Sequence, residues 1–590
     1  MIPLCDAADV PDAPEVYTGG GYVEPVVRTV VRDVVRTGVR TEARSTGLAC
    51  QAGGCAAYDR TLSRFAAPPR RTLAHSPPTS PCLPRYPTPA PEAFLPSRSL
   101  SPSLFTRIPL AGNYPAAVTL ALLALSPYLI LTTATALMEP QITRSIGATT
   151  YELQLTSGMS NAGYAFGAVA CADLVQRVAR RRVYLVCECG FVLSSVLALS
   201  AQNIGMFATG VVLQGLFTGM LLVAALPPLI TGQPIVKLQT TAVVVSLGLF
   251  GMVAFGPLVG GLVGSFGGWR PLFAGIGTLA LIGLVVGSLT FEGNEPPDRR
   301  AKFDWTAVPL ALGTTALPFF GVSWLTRGDF SDPEFYVPVA AGLVCGVFLV
   351  GGQYRKERPL MPVRPISNTL PVVGTLNAML VGAGFTTLLE LIEVFLTREA
   401  GFSPVRIGAL VTPQILGVLI ASVLFRQLMS TRWTPYLALC GTVSVAIGAA
   451  VLLAASPSSA SATVPVASFF LGFGAGAGVT PGLFLAGFSV PAVQIGPTFA
   501  LVELLRSEAA FLVGPVLLHF ALVQGLADGF HQAVGITLGI TVLGALSLVT
   551  LFMLGGARPE APDLVSWHSG ESTGYHSPAL LAAIRKPADA

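Results

Sequence analysis

From about Pro115 to residue 555 the chain is a succession of apolar runs separated by short polar breaks. The hydrocarbon core of a bilayer needs about 20 apolar residues per helix. Fourteen runs meet that length: 115–138, 152–175, 183–201, 204–229, 238–264, 269–291, 305–325, 334–353, 371–396, 404–427, 434–456, 462–487, 496–521 and 532–555. Inside lipid every backbone polar group must find its partner within the protein, so only helices or closed barrels span. These runs are too long and too evenly apolar for barrel strands, which alternate and are about ten residues long. Charged residues make up only 11% of the chain, against about 25% in soluble domains, so a soluble surface of this size cannot be built from it. The expected fold class is an all-α membrane protein with 14 transmembrane helices.

Residues 1–112 differ in kind. They are rich in Pro, Arg, Ser and Ala, as in Pro77-Pro78-Thr79-Ser80-Pro81, and hold no long apolar run. The segment lacks the apolar centre of a secretory signal and too little of it can be buried to offset its ordering entropy. It is expected to be a disordered tail with a short helix over Val26–Val39, or else to lie upstream of the true start. Residues 557–590 read as a second polar tail without a span.

Lys and Arg concentrate on cytoplasmic loops. The loops after even-numbered spans carry Arg177, Arg180, Arg181 and Arg182, then Lys237, then Arg299, Arg300 and Lys302, then Arg355, Lys356, Arg358 and Arg364, then Arg426 and Arg432. The other loops carry few, namely Arg144, Arg270, Arg327, Arg398 and Arg406. Both termini are therefore expected in the cytoplasm, in a multi-pass protein of the cell membrane.

The fifth run contains Gly251-Met-Val-Ala-Phe-Gly256-Pro257-Leu-Val-Gly260-Gly261. Gly256, Gly260 and Gly264 recur every four residues and form a ridge without side chains, which lets another helix approach closely. Pro257 removes one helical hydrogen bond and favours a kink. The ridge serves either plain packing or a rocking contact. Four glycines, Gly472, Gly474, Gly476 and Gly478, do not form a nucleotide loop, because no strand precedes them and they lie within a span. No Walker sequence is present, which argues against ATP-driven transport. The cysteines lack zinc spacing; Cys171, Cys187, Cys189, Cys345 and Cys440 read as apolar packing residues, while Cys5, Cys50, Cys55 and Cys82 have no assigned role. No metal and no cofactor is expected.

A charge at the bilayer centre costs about 2.5–3.5 kcal/mol on insertion scales and so faces a cavity or a partner. Glu390 and Glu393 stand three apart on one face of the ninth run, an arrangement suited to taking up and releasing a proton. Glu503 and Arg506 are three apart in the thirteenth run and suited to pairing; Glu508 points elsewhere. Glu188 and Glu139 complete the set. Each acid has a second reading as a structural partner or interface residue, and His519 reads as packing or interface.

Several of these stretches resemble the major facilitator superfamily, in particular its fourteen-helix drug–proton antiporter branch. Gly-Pro-x-x-Gly-Gly at Gly256–Gly261 is similar to the antiporter motif of the fifth helix. Trp269-Arg270-Pro-Leu-Phe273 resembles the opening of the sixth helix, and Phe303-Asp304-Trp305 the sequence before two extra helices. Gly401-Phe-Ser-Pro404-Val-Arg-Ile-Gly408, followed by Pro413, resembles the entry to the tenth, and Gln214-Gly215 the end of a fourth-helix motif. The resemblance implies two six-helix halves, 113–292 and 371–556, around a central cavity, with two inserted helices in 293–370. It implies alternating access, efflux of hydrophobic or amphipathic small molecules, proton antiport, and action as a monomer without nucleic acid or enzymatic chemistry. There are departures. The loop acid expected before the basic cluster Arg177, Arg180 and Arg181 is Gln176, for which Asp173 is a possible substitute. The fourth-helix Arg position is Val211, and the first-helix acid position is Leu131. An uncoupled or differently coupled facilitator of the same fold therefore stands as the alternative, with a polytopic membrane enzyme or sensor behind it.

Overall fold

The polar breaks in the sequence begin and end helices. In a computed structural model, which describes residues 112–291, 303–357, 359–580 and 582, Thr149 and Glu152 form a reciprocal cap at the start of one helix. The Asn203 side chain accepts from Met206 N–H at the start of another, at 3.0 Å. These contacts satisfy donors that a helix N-terminus leaves unpaired. Elsewhere a proline opens the helix, where no N–H is needed; Pro271, Pro333, Pro404 and Pro435 do so.

The long helices are α1 Tyr114–Ala134, α2 Thr150–Arg177, α3 Arg180–Leu199, α4 Ile204–Thr231, α5 Ile235–Ser265, α6 Arg270–Thr290, α7 Ala307–Trp324, α8 Pro333–Arg355, α9 Thr369–Arg398, α10 Pro404–Leu428, α11 Thr434–Leu452, α12 Ala460–Phe488, α13 Ile495–Val523 and α14 Leu526–Leu554. By length and composition, 12 of them can cross a membrane. The two others, α2 and α13, span 28 and 29 residues but are interrupted by polar or charged side chains. The expected all-helical membrane fold is the one observed. Two expected boundaries move. The first run ends as a helix at Ala134, and Glu139 opens a separate short helix, Glu139–Ile146. The last helix starts at Leu526, ahead of the expected 532. The Val26–Val39 helix, Cys5, Cys50, Cys55, Cys82, Arg299, Arg300, Lys302 and Arg358 lie outside the described residues.

The helices on either side of the inserted pair meet along two seams. On one, α5 faces α10; on the other, α2 faces α13. Helix α7 lies over the second seam, packed on α2 and touching α13. Gly158 of α2 sits against Phe319 and Ser323 of α7, and Phe319 lies 6.4 Å from Phe511 of α13. Helix α8 packs chiefly on α7, and most of its surface is left exposed. Asp304 secures this pair. It accepts from Thr306 and Ala307 N–H at the start of α7, and from Gln353 and Lys356 at the end of α8. Burial pushes the Asp304 carboxyl up, but the hydrogen bonds from Lys356, Gln353 and the backbone outweigh it and hold it well below the usual carboxylate range. The Phe-Asp-Trp sequence thus has a structural explanation.

The same device recurs on both sides of the inserted pair. Pro234 leads a 3-10 turn, Ile235–Lys237, into α5, and Pro491 leads another, Ala492–Gln494, into α13. Each helix then carries Gly-Pro further along, as Gly256-Pro257 and Gly514-Pro515. The four glycines of α12 are packing surfaces: Gly478 meets Val381, Gly476 meets Val418, Gly474 meets Val445 and Gly472 meets Gln414. Cys187 is buried and Cys189 exposed, as opposite faces require. Residues 557–580 contain no span, but they are not a loose tail. Trp567 is fully buried, because its ring packs on Phe488 at the end of α12.

Candidate functional site

Polar side chains buried in apolar helices collect around one central cavity. It is lined by Tyr128, Thr132 and Thr133 of α1, Asn161 and Tyr164 of α2, Leu249, Phe250 and Val253 of α5, Gly382, Phe385 and Thr386 of α9, Ala475 and Val479 of α12, and Glu503, Arg506 and Phe511 of α13. Both halves of the sequence therefore contribute. Glu503 and Arg506 are the charged residues of this lining. Helical spacing puts them one turn apart, and Arg506 Nη2 and Nε donate to Glu503 Oε2 at 2.6 and 2.9 Å. The other carboxylate oxygen, Oε1, has no hydrogen-bond partner. The Arg506 guanidinium stands 5.8 Å from the centre of the Phe250 ring. Tyr128 stacks on Tyr164 at 5.7 Å and contacts the Ser160 hydroxyl at 2.9 Å. Phe250 is positioned by a π turn in α5, Leu247–Gly251, a local widening that is frequent at functional sites.

The room inside is small, about 50 Å³. Small-molecule sites occupy roughly 300–1,000 Å³, so this is a closed conformation. Both ends show why. Toward the end bearing the α1–α2 loop, Gly261 of α5 and Gly408 of α10 are seated on each other's helix. A Cβ on Gly261 would lie 2.5 Å from Pro404 O, and one on Gly408 would lie 2.6 Å from Pro257 O. Toward the end bearing the basic α2–α3 loop, Gln239 Nε2 donates to Ser430 Oγ at 3.2 Å. Between them, Ser246 of α5 meets Ser422 of α10 at 2.8 Å and Thr480 of α12 at 3.1 Å. Gln414 donates to Ala254 O at 2.8 Å.

The glycine ridge faces α1. A Cβ on Gly256 would meet the Thr133 hydroxyl and Ile130 O, the latter at 2.6 Å, and one on Gly260 would meet Ala134 Cα at 2.8 Å. Gly264 lies near Gln141. Gly251 differs, for it meets only Leu247 of its own helix and belongs to the π turn. Asp173 pairs with Arg177 one turn on, and Arg181 donates to Ser288 O at the end of α6, at 3.0 Å. Arg180 stands beside them at the start of α3. Trp269 is buried against Phe207 and Phe273, and Arg270 donates to Ala201 O at 2.9 Å.

The acids are dispersed. Glu390 and Glu393 are not among the lining residues; they continue α9 beyond Phe385 and Thr386, toward Arg398. Glu390 rests against Gly514 of α13, and Glu393 Oε1 is buried without a partner. Both oxygens of Glu508 and of Glu188 are likewise unpartnered, and Glu188 lies against Gly283 of α6. Glu139 belongs to the short helix after α1. His519 lies 3.6 Å from Asp329 and edge-on to Phe330, beneath the α7–α8 loop. Sequence reasoning missed Tyr128, Asn161, Tyr164 and Thr386. Their signal was there, as polar atoms in otherwise apolar runs, with Asn161 and Tyr164 three apart on one face. Among the described residues no cluster suited to a metal ion occurs.

The description of the major facilitator superfamily matches residues 120–515, most of the helical region just described. The chain belongs to the major facilitator superfamily. Solved structures agree on the fold. The peptide transporter POT in complex with sulfate superposes with a TM-score of 0.55 at 15% identity, covering 76% of this chain and 97% of that one. The human organic anion transporter MFSD10 (TETRAN) gives 0.52 at 14%, covering 74% and 99%. Among relatives, an uncharacterized MFS-type transporter of Bacillus subtilis, YubD, is 26% identical over 310 residues, 52% of this chain and 60% of its own. A multidrug resistance protein B homolog of Mycobacterium tuberculosis is 27% identical over 303 residues, 51% and 54%. The tetracenomycin C resistance and export protein of Streptomyces glaucescens is 24% identical over 417 residues, 70% and 72%. The matched stretch thus spans little more than half the length of the first two.

Proposed function

We propose that the protein is a secondary exporter of small hydrophobic or amphipathic molecules, driven by proton antiport through alternating access. The observation that carries this reading is the closed central cavity. Aromatic rings and hydroxyls surround a buried Glu503–Arg506 pair with one free carboxylate oxygen. Rings suit an apolar body, and the pair suits one polar or charged group on it. Resistance and export proteins among the relatives support the direction of transport. In this reading all fourteen long helices span the plasma membrane, the basic end with both chain termini is cytoplasmic, and a single chain suffices. Arg177, Arg180 and Arg181, with Asp173, guard the cytoplasmic gate, and the α5 glycines carry the rocking contact.

Glu390 and Glu393 take the proton role. They lie along α9 between the cavity and the end where Glu139 stands, a route by which a proton from outside reaches the site. Glu508 is a further acid on α13 able to exchange a proton. The experiment is transport by purified protein in vesicles under an imposed pH gradient. The parent should respond to the gradient, and the double variant Glu390→Gln with Glu393→Gln should bind substrate but lose that response. A parent without any pH response would favour the second reading, an uncoupled facilitator. Three departures from the motifs this chain resembles motivate that alternative: Leu131 and Val211, which are buried and apolar, and Gln176.

A further inference from the structure

The polar C-terminal segment occupies the basic end of the molecule in a defined way. Its short helix Leu564–Ser569 is capped by Asp563, which accepts from Ser566 N–H at 3.1 Å. Trp567 Nε1 donates to Val490 O at 2.9 Å, and its ring meets Phe488 edge-on at 4.8 Å. Gly574 and Tyr575 N–H both reach Phe488 O, at 2.8 and 3.1 Å. At the start of α9, Thr369 N–H donates to Pro578 O at 3.0 Å, and Leu370 N–H to Ser577 Oγ at 2.8 Å. Helix ends leave such carbonyls and N–H groups without partners. The segment therefore supplies, from elsewhere in the chain, the caps that the end of α12 and the start of α9 lack.

Those anchors all lie after the inserted pair in sequence. The same short helix also lies against Ile235–Lys237, the turn that opens α5 in the first half. That turn is the counterpart of Ala492–Gln494, beside which the segment is anchored. The attachment is thus unequal. It is deep on one half, through a fully buried Trp567 and paired backbone groups, and shallow on the other, where Val236 and Val565 stay largely exposed.

We propose that residues 557–580 form a strap that holds the basic ends of the two halves together, so that opening of the cavity at this end requires the strap to let go of the α5 turn. The shallow contact breaks first, because the anchored side has more hydrogen bonds to lose. The strap sets how far this gate opens at rest. The inference rests on the alternating-access reading of the fold and is independent of substrate and of proton coupling.

The test uses the full chain with its cysteines replaced and spin labels at Val236→Cys and Val493→Cys, one on each equivalent turn, in lipid nanodiscs without substrate. Distance distributions are compared for this chain, for Trp567→Ala, and for a chain ending after Glu560. Release of the strap should move the distribution to longer distances and broaden it in both variants, and the Trp567→Phe variant should lie between. Unchanged distributions in the shortened chain would overturn the proposal, even if its Tm fell, since a mere cap would lower stability without moving the gate. Should the shortened chain fail to fold, Trp567→Ala decides by the same criterion. Neither outcome depends on whether vesicles show pH-driven transport.

Discussion

Helices α5 and α13 are built to one plan and put to different uses. Each follows a proline-led turn at the basic end and carries Gly-Pro further along. In α5 the missing side chains let backbones approach: Gly256 and Gly260 rest on α1, and Gly261 rests on α10 of the other half. In α13 the glycine of the pair, Gly514, leaves room for a side chain, the carboxylate of Glu390. Helix α13 also carries Glu503, Arg506 and Glu508, whereas from Leu238 to its end α5 carries no charged residue. Helix α5 thus supplies a close contact free of side chains, and α13 supplies charge. A bare ridge lets a neighbouring helix approach closely, while a buried ion pair such as Glu503–Arg506 must stay together.

The largest test of this division is Arg506→Ala. Removing one member of a buried pair strands the other, which costs about 3–5 kcal/mol in soluble proteins. Thermal unfolding in detergent should show a large fall in Tm and little folded protein. The double variant Glu503→Gln with Arg506→Gln removes both charges and should recover much of the stability while impairing transport. Equal losses in the single and double variants would mean that the pair is not self-contained, and that α13 does not hold its charges as a unit.

Next in size is Gly260→Leu. A Cβ alone would lie 2.8 Å from Ala134 Cα, and backbone cannot swing aside as a side chain does. The chain should still insert, because the change is apolar, but α1 and α5 must separate and transport should be lost. Vesicle transport together with gel filtration of the extracted protein checks both halves of that statement. Normal transport would mean that the contact between α5 and α1 takes no part in the cycle.

Local pattern made the architecture legible, and distance along the chain hid the rest. The run 152–175 became Thr150–Arg177 and 404–427 became Pro404–Leu428, because about 20 apolar residues have one stable form in lipid. The early start of α14 was not visible, since Asp528 and His531 interrupt the run; the helix begins there after Gly525, whose φ of 85° ends the preceding turn. Glu503 and Arg506 were readable as a pair from their spacing alone. That Phe250, Tyr164 and Thr386 would gather around them was not, for they come from three other helices. The strap was missed for a similar reason. A polar composition reads as a tail, and only Val490 and Phe488, some 77 residues before Trp567, reveal what it covers.

The smallest effect separates the two Gly-Pro sites most cleanly. Glycine to alanine within a helix ordinarily stabilises by about 1 kcal/mol, so any loss measures what the new methyl meets. At Gly256 it meets the Thr133 hydroxyl, which can turn, but also the carbonyl of Ile130 at 2.6 Å, which cannot, so α1 must shift as a body. At Gly514 it meets the tip of Glu390, which can turn about its own side-chain bonds. Gly256→Ala should therefore lower Tm measurably, and Gly514→Ala should leave it unchanged or slightly raised. The second variant should betray itself instead in the pH profile of transport, because the carboxyl has been moved off its seat. Adding Glu390→Gln to Gly514→Ala should then bring no further change in that profile beyond the one Glu390→Gln causes alone. If Gly514→Ala instead lowers Tm as much as Gly256→Ala does, the two helices use their glycines alike, and the division between a packing helix and a charged helix is wrong.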